Sequence, residues 1–156
     1  MARHELYSDD GDIDFSEQEQ AFLDGQLPTL PRSIARTFLD SVKWVEESKG
    51  HFLTLEGEEN HRLIYLIDGD AAITLKGQLI GRCPEGSFVG EMTALDGGAA
   101  TATAMLLNPT RYISIRSAEL KRLCMANPEL RIHLERAFAL DTRKKLLASN
   151  EALRQS

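Results

Sequence analysis

The spacing of apolar positions changes twice along the chain. Near both ends apolar residues recur every three or four positions, as at Ile34 and Phe38 and again at Leu130 and Leu134, which predicts amphipathic helices. Between residues 42 and 116 they gather in short runs separated by Gly, Asp and Pro, which is typical of strands and turns. Helices followed by several strands and then by helices predict an α+β fold rather than a βαβ fold.

The first two helices have clear starting signals. Residues 16–19, with a serine and a glutamate three positions apart, fit a capping box. We therefore expect a short helix to about Asp24, ended by Gly25. Pro31 suits the first position of a second helix that runs to about Asp40, because a helix does not need the N–H that proline lacks there.

The middle of the chain holds several runs with the length and composition of strands. They are residues 52–55, 63–67, 71–75, 79–80, 88–89, 101–107 and 112–115. Short strands at this spacing predict an antiparallel roll, barrel or sandwich. The pair Asp68-Gly69 is a hairpin signal, and we expect Trp44 to anchor the core.

Two helices are expected after residue 116. Residues 117–125 form one, and Asn127-Pro128 provides the N-cap and first turn of a long helix to about Leu153. At 1.5 Å per residue the long helix measures about 35–40 Å, which is more than a small β-core covers. Its overhang therefore needs a partner or stays frayed.

The long helix carries two side-chain groups that suggest partners. Leu130, Leu134 and Phe138 form an apolar stripe, and a stripe left in water is an association patch, so we expect a homodimer. The basic triplet at 143–145 is expected to be a solvated helix end, where cations suit the helix dipole. The alternative is a weak contact with an anionic membrane surface.

Charge is concentrated at the amino-terminal end. Residues 1–24 hold eight acids and one base, a net charge of −7, which leaves 17 bases and 16 acids, or +1, for the rest of a chain whose total is −6. Such an acidic run is usually a solvated, mobile arm, with a docking arm as the alternative. The near-neutral remainder lacks the basic footprint of nonspecific nucleic-acid binding, so we expect no nucleic-acid partner.

Nothing in the composition indicates catalysis or a membrane span. No apolar run approaches the roughly 18–20 residues of a spanning helix, and the start of the chain is not a secretory signal. Cys83 and Cys124 lie far apart without a CxxC pattern, which favours a reducing, cytoplasmic setting with both thiols as small buried hydrophobes. The four histidines form no HExxH pair, and Ser87 is misplaced for a nucleophile elbow. We expect no metal, no cofactor and no enzyme.

Two glycine-bounded segments carry the most specific signal. Residues 57–72 place an apolar strand between turns that contain glycine. Residues 86–104 hold a strand, a glycine at position 90, a helical turn that starts at Glu91, a Gly-rich loop and a second strand. Such an arrangement can aim free backbone N–H groups at a bound anion.

These residues resemble the cyclic nucleotide-binding domain family, in which an eight-stranded jelly roll is flanked by helices. Residues 57–69 match the family's glycine-bounded strand, and Phe88-Val89-Gly90-Glu91 matches the start of its phosphate-binding cassette. The likeness covers roughly residues 42–147. Residues 62–147, with their final Asp-Thr-Arg-Lys-Lys-Leu at 141–146, are also similar to the Popeye domain, a divergent branch.

The resemblance implies an α+β domain built on an antiparallel, double-stranded β-roll of about eight strands. We expect an acidic flexible lead over residues 1–15, N-terminal helices over 16–41, the roll over 42–116 and C-terminal helices over 117–156. In responsive members of the family, ligand in the roll repositions the C-terminal helix, which reports occupancy.

The resemblance also implies a ligand site. Its residues would be Val89, Gly90, Glu91, Met92, Thr93, Ala100, Thr101 and Ala102. The cyclic phosphate would rest on backbone N–H groups near Glu91 and Met92, and the Glu91 carboxylate would accept a hydrogen bond from the ribose 2′-hydroxyl. Thr101 and Ala102 would line the phosphate side.

One position departs from the family's pattern. Ala100 stands where the cassette has the arginine that pairs with the phosphate, and residues 99–104 contain no base. A charge-assisted hydrogen bond contributes roughly 1.5–3 kcal/mol, so its loss should weaken a micromolar binder to roughly millimolar. Arg82 and Arg111 are alternative sources of the missing charge. The Asp-Ser-Pro-Glu element of the Popeye branch is absent too, since residues 89–92 occupy that region.

We therefore predict a non-catalytic sensor or regulatory domain that binds cyclic AMP or cyclic GMP, weakly or with altered selectivity. The alternative is a ligand-free roll that serves as an interaction and dimerisation module of a Popeye-like, membrane-associated protein, whose anchor would lie upstream of these residues. A transcription factor of the catabolite-activator type would need a helix-turn-helix after the long helix, which the sequence up to Ser156 does not contain.

Overall fold

The computed structural model describes residues 13–155 of the chain. The helices are α1 Glu17–Gln26, α2 Arg32–Asp40, α3 Glu91–Ala94, α4 Ser117–Ala126 and α5 Pro128–Gln155. The strands are β1 Lys43–Glu47, β2 Phe52–Thr54, β3 Arg62–Leu66, β4 Ala71–Leu75, β5 Gln78–Cys83, β6 Phe88–Val89, β7 Thr103–Leu106 and β8 Thr110–Arg116. The predicted α+β fold, an antiparallel roll of eight strands with helices before and after it, is confirmed.

The strands form two four-stranded antiparallel sheets. The first has the order β1-β8-β3-β6 and the second β2-β7-β4-β5. In the first sheet Ile64 of β3 pairs with Ser114 of β8 on one side and with Val89 of β6 on the other. The short strand β6 therefore lies at the edge of its sheet, and the chain that leaves it at residue 90 is free to turn into α3.

The predicted hairpin at Asp68-Gly69 is wrong. Strands β3 and β4 belong to different sheets, so this turn carries the chain from one sheet to the other. The two-residue hairpin lies instead at Lys76-Gly77, between the paired residues Leu75 and Gln78. Both turn residues have positive φ angles of 52° and 80°, as the favoured hairpin turns require.

Side chains of β3 alternate between two hydrophobic cores. Leu63 and Tyr65 face the helices, where they join a core that includes residues of α1, α2, α4 and α5. Ile64 and Leu66 face the space between the two sheets and pack in a second, smaller core. The period of two along a strand produces this division.

The amino-terminal end of the described chain is held more firmly than predicted. The capping box is confirmed, since Ser16 Oγ accepts from the Glu19 N–H at 3.1 Å and Glu19 Oε1 accepts from the Ser16 N–H at 2.9 Å. The guanidinium of Arg32 lies 4.6 Å from the centre of the Phe15 ring, so residues 13–15 are not part of a free lead. The rest of the predicted acidic arm, residues 1–12, lies outside the described residues.

Helix α5 uses its apolar stripe inside the domain. Leu130 and Leu134 are 1% and 0% exposed, and the Phe138 ring packs 5.1 Å from that of Phe88. The predicted dimer contact through these three residues is therefore wrong, because the core already covers them. The helix is covered by the roll as far as Ser149, which lies against Gly81 of β5.

The prediction for the two cysteines is confirmed, and the prediction for Trp44 is wrong. Cys83 and Cys124 are buried free thiols, as predicted. Trp44 is 41% exposed rather than a core anchor, because it lies on the edge strand β1, where the pattern of burial leaves most side chains at the surface. Among residues 13–155, no helix combines the length and apolar character needed to cross a membrane.

Candidate functional site

All eight residues predicted for the ligand site line one cavity. The cavity has a volume of about 190 Å³ and opens to solvent. Its other lining residues are Thr54, Asn60, Ile73, Cys83, Ala104 and Lys145. The structure therefore brings together the end of β6, helix α3, the start of β7 and, unexpectedly, a lysine from α5.

Gly90 makes the turn from β6 into α3 possible. Its φ angle is 85°, a left-handed conformation that glycine adopts without the steric cost of a side chain. A Cβ atom at this position would lie 2.5 Å from Asn60 Nδ2 and 2.8 Å from the Arg62 carbonyl oxygen. The predicted helical turn at Glu91 is present, with the Ala94 N–H donating to the Gly90 carbonyl at 3.0 Å.

Asn60, which the sequence analysis did not single out, holds this turn in place. Its Nδ2 donates to the Gly90 carbonyl at 3.0 Å and to Thr93 Oγ1 at 2.9 Å. Its Oδ1 accepts from the Arg62 N–H at 3.2 Å. Asparagine commonly bonds nearby backbone in this way, so its place just before the glycine-bounded strand was the available signal.

The Gly-rich loop is tied by its backbone to the segment before β3. The Ala100 N–H donates to the Glu58 carbonyl at 2.8 Å, and the Gly57 N–H donates to the Ala100 carbonyl at 2.9 Å. The Asn60 N–H donates to the Gly98 carbonyl at 3.2 Å. These bonds use main-chain groups only, so the small side chain of Ala100 is left to line the cavity.

The Glu91 carboxylate is the acidic group of the cavity. Its side chain is only 11% exposed, and Oε1 accepts a hydrogen bond from Lys145 Nζ. The other oxygen, Oε2, is buried and has no hydrogen-bond partner among the described residues. Because buried polar atoms are nearly always hydrogen-bonded, this oxygen is suited to accept from a hydroxyl group of a bound molecule.

Lys145 joins Glu91 to Asp141 on the same helix. Lys145 Nζ lies 3.0 Å from Asp141 Oδ2, in an i,i+4 pair, and Asp141 Oδ1 accepts from the Phe88 N–H at 3.2 Å. Burial raises the pKa of Asp141 above its usual value. Burial lowers the pKa of Lys145, but the negative charges of Glu91 and Asp141 and the hydrogen bond to Glu91 act with smaller contributions that together raise it above its usual value, so Lys145 remains an ammonium ion.

The basic triplet is thus only partly the solvated helix end that the sequence predicts. Lys144 Nζ donates to the carbonyl oxygens of Glu85 and Gly86 at 3.1 and 3.2 Å, and Lys145 is 19% exposed. Arg143 and Lys144 are exposed, as predicted, whereas Lys145 is not. The spacing of Asp141 and Lys145 was the signal for this pair, but an i,i+4 spacing alone does not show which face of the helix is buried.

The two arginines considered as substitutes for the cassette arginine are used elsewhere. Arg82 Nε lies 2.9 Å from Asp70 Oδ2, and Arg111 Nε lies 2.8 Å from Asp68 Oδ2. Neither side chain lines the cavity, so neither of these alternative sources supplies the missing charge. Cys83, also in the cavity wall, is inert as a nucleophile, because burial raises its pKa to about 12.

The domain is an antiparallel roll whose edge strand β6 ends at a glycine, and that glycine starts a helical turn above a cavity. This arrangement defines the cyclic nucleotide-binding class of regulatory fold. The chain belongs to that family, since residues 45–127 match the model of the cyclic nucleotide-binding domain. It is 26% identical over 87 residues to a cyclic nucleotide-gated potassium channel of Mesorhizobium japonicum. The match covers 56% of this chain and spans about a quarter (24%) of the length of the channel.

Solved structures share the fold at low sequence identity. A protein of Geobacter metallireducens proposed to bind cyclic nucleotides is 16% identical, with a TM-score of 0.73 over 85% of this chain and 99% of that one. The sensor domain of a transcriptional regulator of Pseudomonas aeruginosa is 22% identical, with a TM-score of 0.63 over 78% and 91%. The regulatory domain of a Toxoplasma gondii kinase with cyclic AMP is 14% identical, with a TM-score of 0.62 over 70% and 46%.

Proposed function

We propose that this chain is a non-catalytic sensor domain that binds cyclic AMP or cyclic GMP. Family membership supports the class of ligand. The observation that carries the proposal is the Glu91 side chain, which lines the cavity with the other seven predicted site residues and whose buried Oε2 atom has no hydrogen-bond partner within residues 13–155. A ribose hydroxyl would satisfy that oxygen.

We further propose that binding is weaker than, or differs in selectivity from, that of a cassette with an arginine. Ala100 lines the cavity at the arginine position, and one charge-assisted hydrogen bond contributes roughly 1.5–3 kcal/mol. The cavity of about 190 Å³ is smaller than the roughly 300–1,000 Å³ usual for ligand sites. The sugar and phosphate would therefore occupy it, with the base at the opening.

Titration calorimetry with cyclic AMP and cyclic GMP tests the proposal, with 5′-AMP as the control ligand. We expect heat of binding from one of the cyclic nucleotides, and an affinity at least about tenfold weaker in Glu91→Gln, because the variant loses the charge on the acceptor. Glu59→Gln is the matched control, since the Glu59 side chain is 69% exposed and lies outside the cavity. No heat at millimolar nucleotide would end the proposal.

A second candidate function is a ligand-free interaction module, and one observation favours it. The ammonium group that lines the cavity is already paired with two carboxylates, which leaves the site without a free cation. The softer resemblance to the membrane-associated Popeye branch stays a prediction, and so does a cytoplasmic location, with which the two free, buried cysteines are consistent. A homodimer through α5 would use outward side chains of that helix such as Ile132, Leu140 and Leu147.

A further inference from the structure

The cavity contains one positively charged side chain, and it does not come from the cassette. Among the residues that line the cavity, Glu91 is the acid and Lys145 the base. A cyclic nucleotide carries a negative charge on its phosphodiester, and burying an anion beside a carboxylate without a counter-charge is costly. Any binding in this cavity therefore depends on where Lys145 lies.

The ammonium group of Lys145 has hydrogen-bonding capacity left. It has three N–H donors, and its partners among the described residues are Glu91 Oε1 and Asp141 Oδ2. At least one donor is thus left for a further acceptor, since Asp141 Oδ2 forms an ion pair with the ammonium group but has no hydrogen-bond partner among the described residues. The side chain is 19% exposed and lines the same cavity as Ala100, so a phosphate bound in the cavity would border this ammonium group.

Contacts on both sides of Lys145 hold it at the cavity. Lys144 Nζ donates to the carbonyl oxygens of Glu85 and Gly86, and Ser149 Oγ accepts from the Arg82 N–H at 3.3 Å. The approach at Ser149 depends on Gly81, where a Cβ atom would lie 2.3 Å from Ser149 Oγ. The position of the cation is therefore set by the docking of α5 on β5 and on the turn that follows it.

We propose that Lys145, from α5, supplies the counter-charge for the ligand's phosphate in place of the cassette arginine that Ala100 replaces. This inference rests on the proposed function. It makes binding depend on the docked state of α5, and by linkage the ligand stabilises that docked state by the same factor. The opposite interpretation, in which Lys145 blocks Glu91 and must leave before the ligand enters, predicts an effect of opposite sign on affinity.

Calorimetric titration of cyclic AMP into four forms of the chain tests the proposal. We expect Lys145→Gln to bind about 10- to 100-fold more weakly than the wild type, since it loses one charge-assisted hydrogen bond. Lys145→Arg retains a cation on a side chain of similar length and should stay within about threefold of the wild type. Arg143→Gln removes the same charge two positions away at an exposed site and should also stay within about threefold.

The outcomes separate this proposal from the proposed function. Unchanged or tighter binding by Lys145→Gln overturns the role of Lys145 while cyclic nucleotide binding stands. Equal loss in Lys145→Arg and Lys145→Gln also overturns it, because the effect then follows from packing rather than from charge. If the wild type itself does not bind cyclic AMP or cyclic GMP at millimolar concentration, the proposed function fails and this proposal fails with it.

Discussion

The two faces of the first sheet are packed differently, and the neighbouring residues Phe88 and Val89 of β6 show the difference. Phe88 faces the helices, where its ring lies 5.0 Å from that of Tyr65 and 5.1 Å from that of Phe138. Val89 faces the roll and lines the cavity, whose other walls include Ala100, Ala102 and Ala104. Around Phe88 large rings fill the helix side, whereas small side chains around Val89 leave space on the roll side. The alternation of side chains along β6 therefore separates residues that stabilise the fold from residues that border the site.

The largest effect we expect is on stability, from a change on the helix side. Phe88 is 1% exposed, and Phe88→Ala should lower the free energy of unfolding by roughly 3–5 kcal/mol, because it removes ring contacts and leaves a void in a filled core. Urea denaturation monitored by circular dichroism measures the change.

The neighbouring substitution Val89→Ala is the control for this comparison. Val89 is also buried, at 4% exposure, but it borders existing space, so its loss should cost only about 1–2 kcal/mol, close to the transfer free energy of the two lost methyl groups. An equal or larger cost for Val89→Ala would show that the roll side is as tightly packed as the helix side, and the proposed division would be wrong.

Much of the fold could be predicted because its signals are local. The capping box at Ser16, the glycine at position 90 and Pro128 at the start of α5 each fix a boundary by short-range chemistry. Strand β1 was missed because its charged residues hide the alternation. The turn at Asp68-Gly69 was misassigned because the same dipeptide serves in hairpins and in turns that join two sheets.

The residues of the site likewise differ in how well the sequence predicts them. The cassette residues lie close together in the sequence, so a sequence pattern identifies them. Lys145 lies 54 positions from Glu91, and its role depends on which face of α5 the rest of the domain buries. That face is set by tertiary packing, since Leu130 and Leu134 turn inward and the same face places Lys145 at the cavity. A single sequence contains no local signal for such a pairing.

A smaller effect is expected from restoring charge on the cavity side. Ala100→Arg should tighten cyclic nucleotide binding by about 10- to 100-fold, because a guanidinium in the cavity adds a charge-assisted hydrogen bond to the phosphate. The backbone bonds of residue 100 do not involve its side chain, so the loop should keep its shape. Calorimetric titration with cyclic AMP measures the gain.

The neighbouring residue provides the control for added charge. Ala99 is exposed and lies outside the cavity lining, so Ala99→Arg adds the same charge without placing it at the ligand. It should change affinity by less than about threefold, since exposed charges are screened by salt. Equal tightening by the two variants would mean that general attraction, rather than a phosphate contact, produces the gain.

The smallest effect concerns pH and the buried Asp141. Burial raises the pKa of Asp141 in the folded chain above the unfolded value near 3.8. The protonated side chain therefore stabilises the fold at pH values below 3.8. This stabilisation is lost as pH rises through the folded pKa. Relative to Asp141→Asn, the wild type should therefore lose stability as pH rises from about 3 to about 7. Glu91 and Lys145, which face Asp141, are present in both forms. Urea denaturation at a series of pH values measures the difference.

Asp68 gives the matched control because its shift has the opposite sign. A hydrogen bond from the Arg111 N–H lowers the pKa of Asp68, so its contribution is present above the unfolded value and is lost as pH falls through the folded pKa. Relative to Asp68→Asn, the wild type should gain stability as pH rises over the same range. If the stability difference between wild type and variant changed with pH in the same direction for both residues, Asp141 would behave like a solvent-exposed carboxylate. The interpretation that Asp141 lies in a desolvated, charged region would then be wrong.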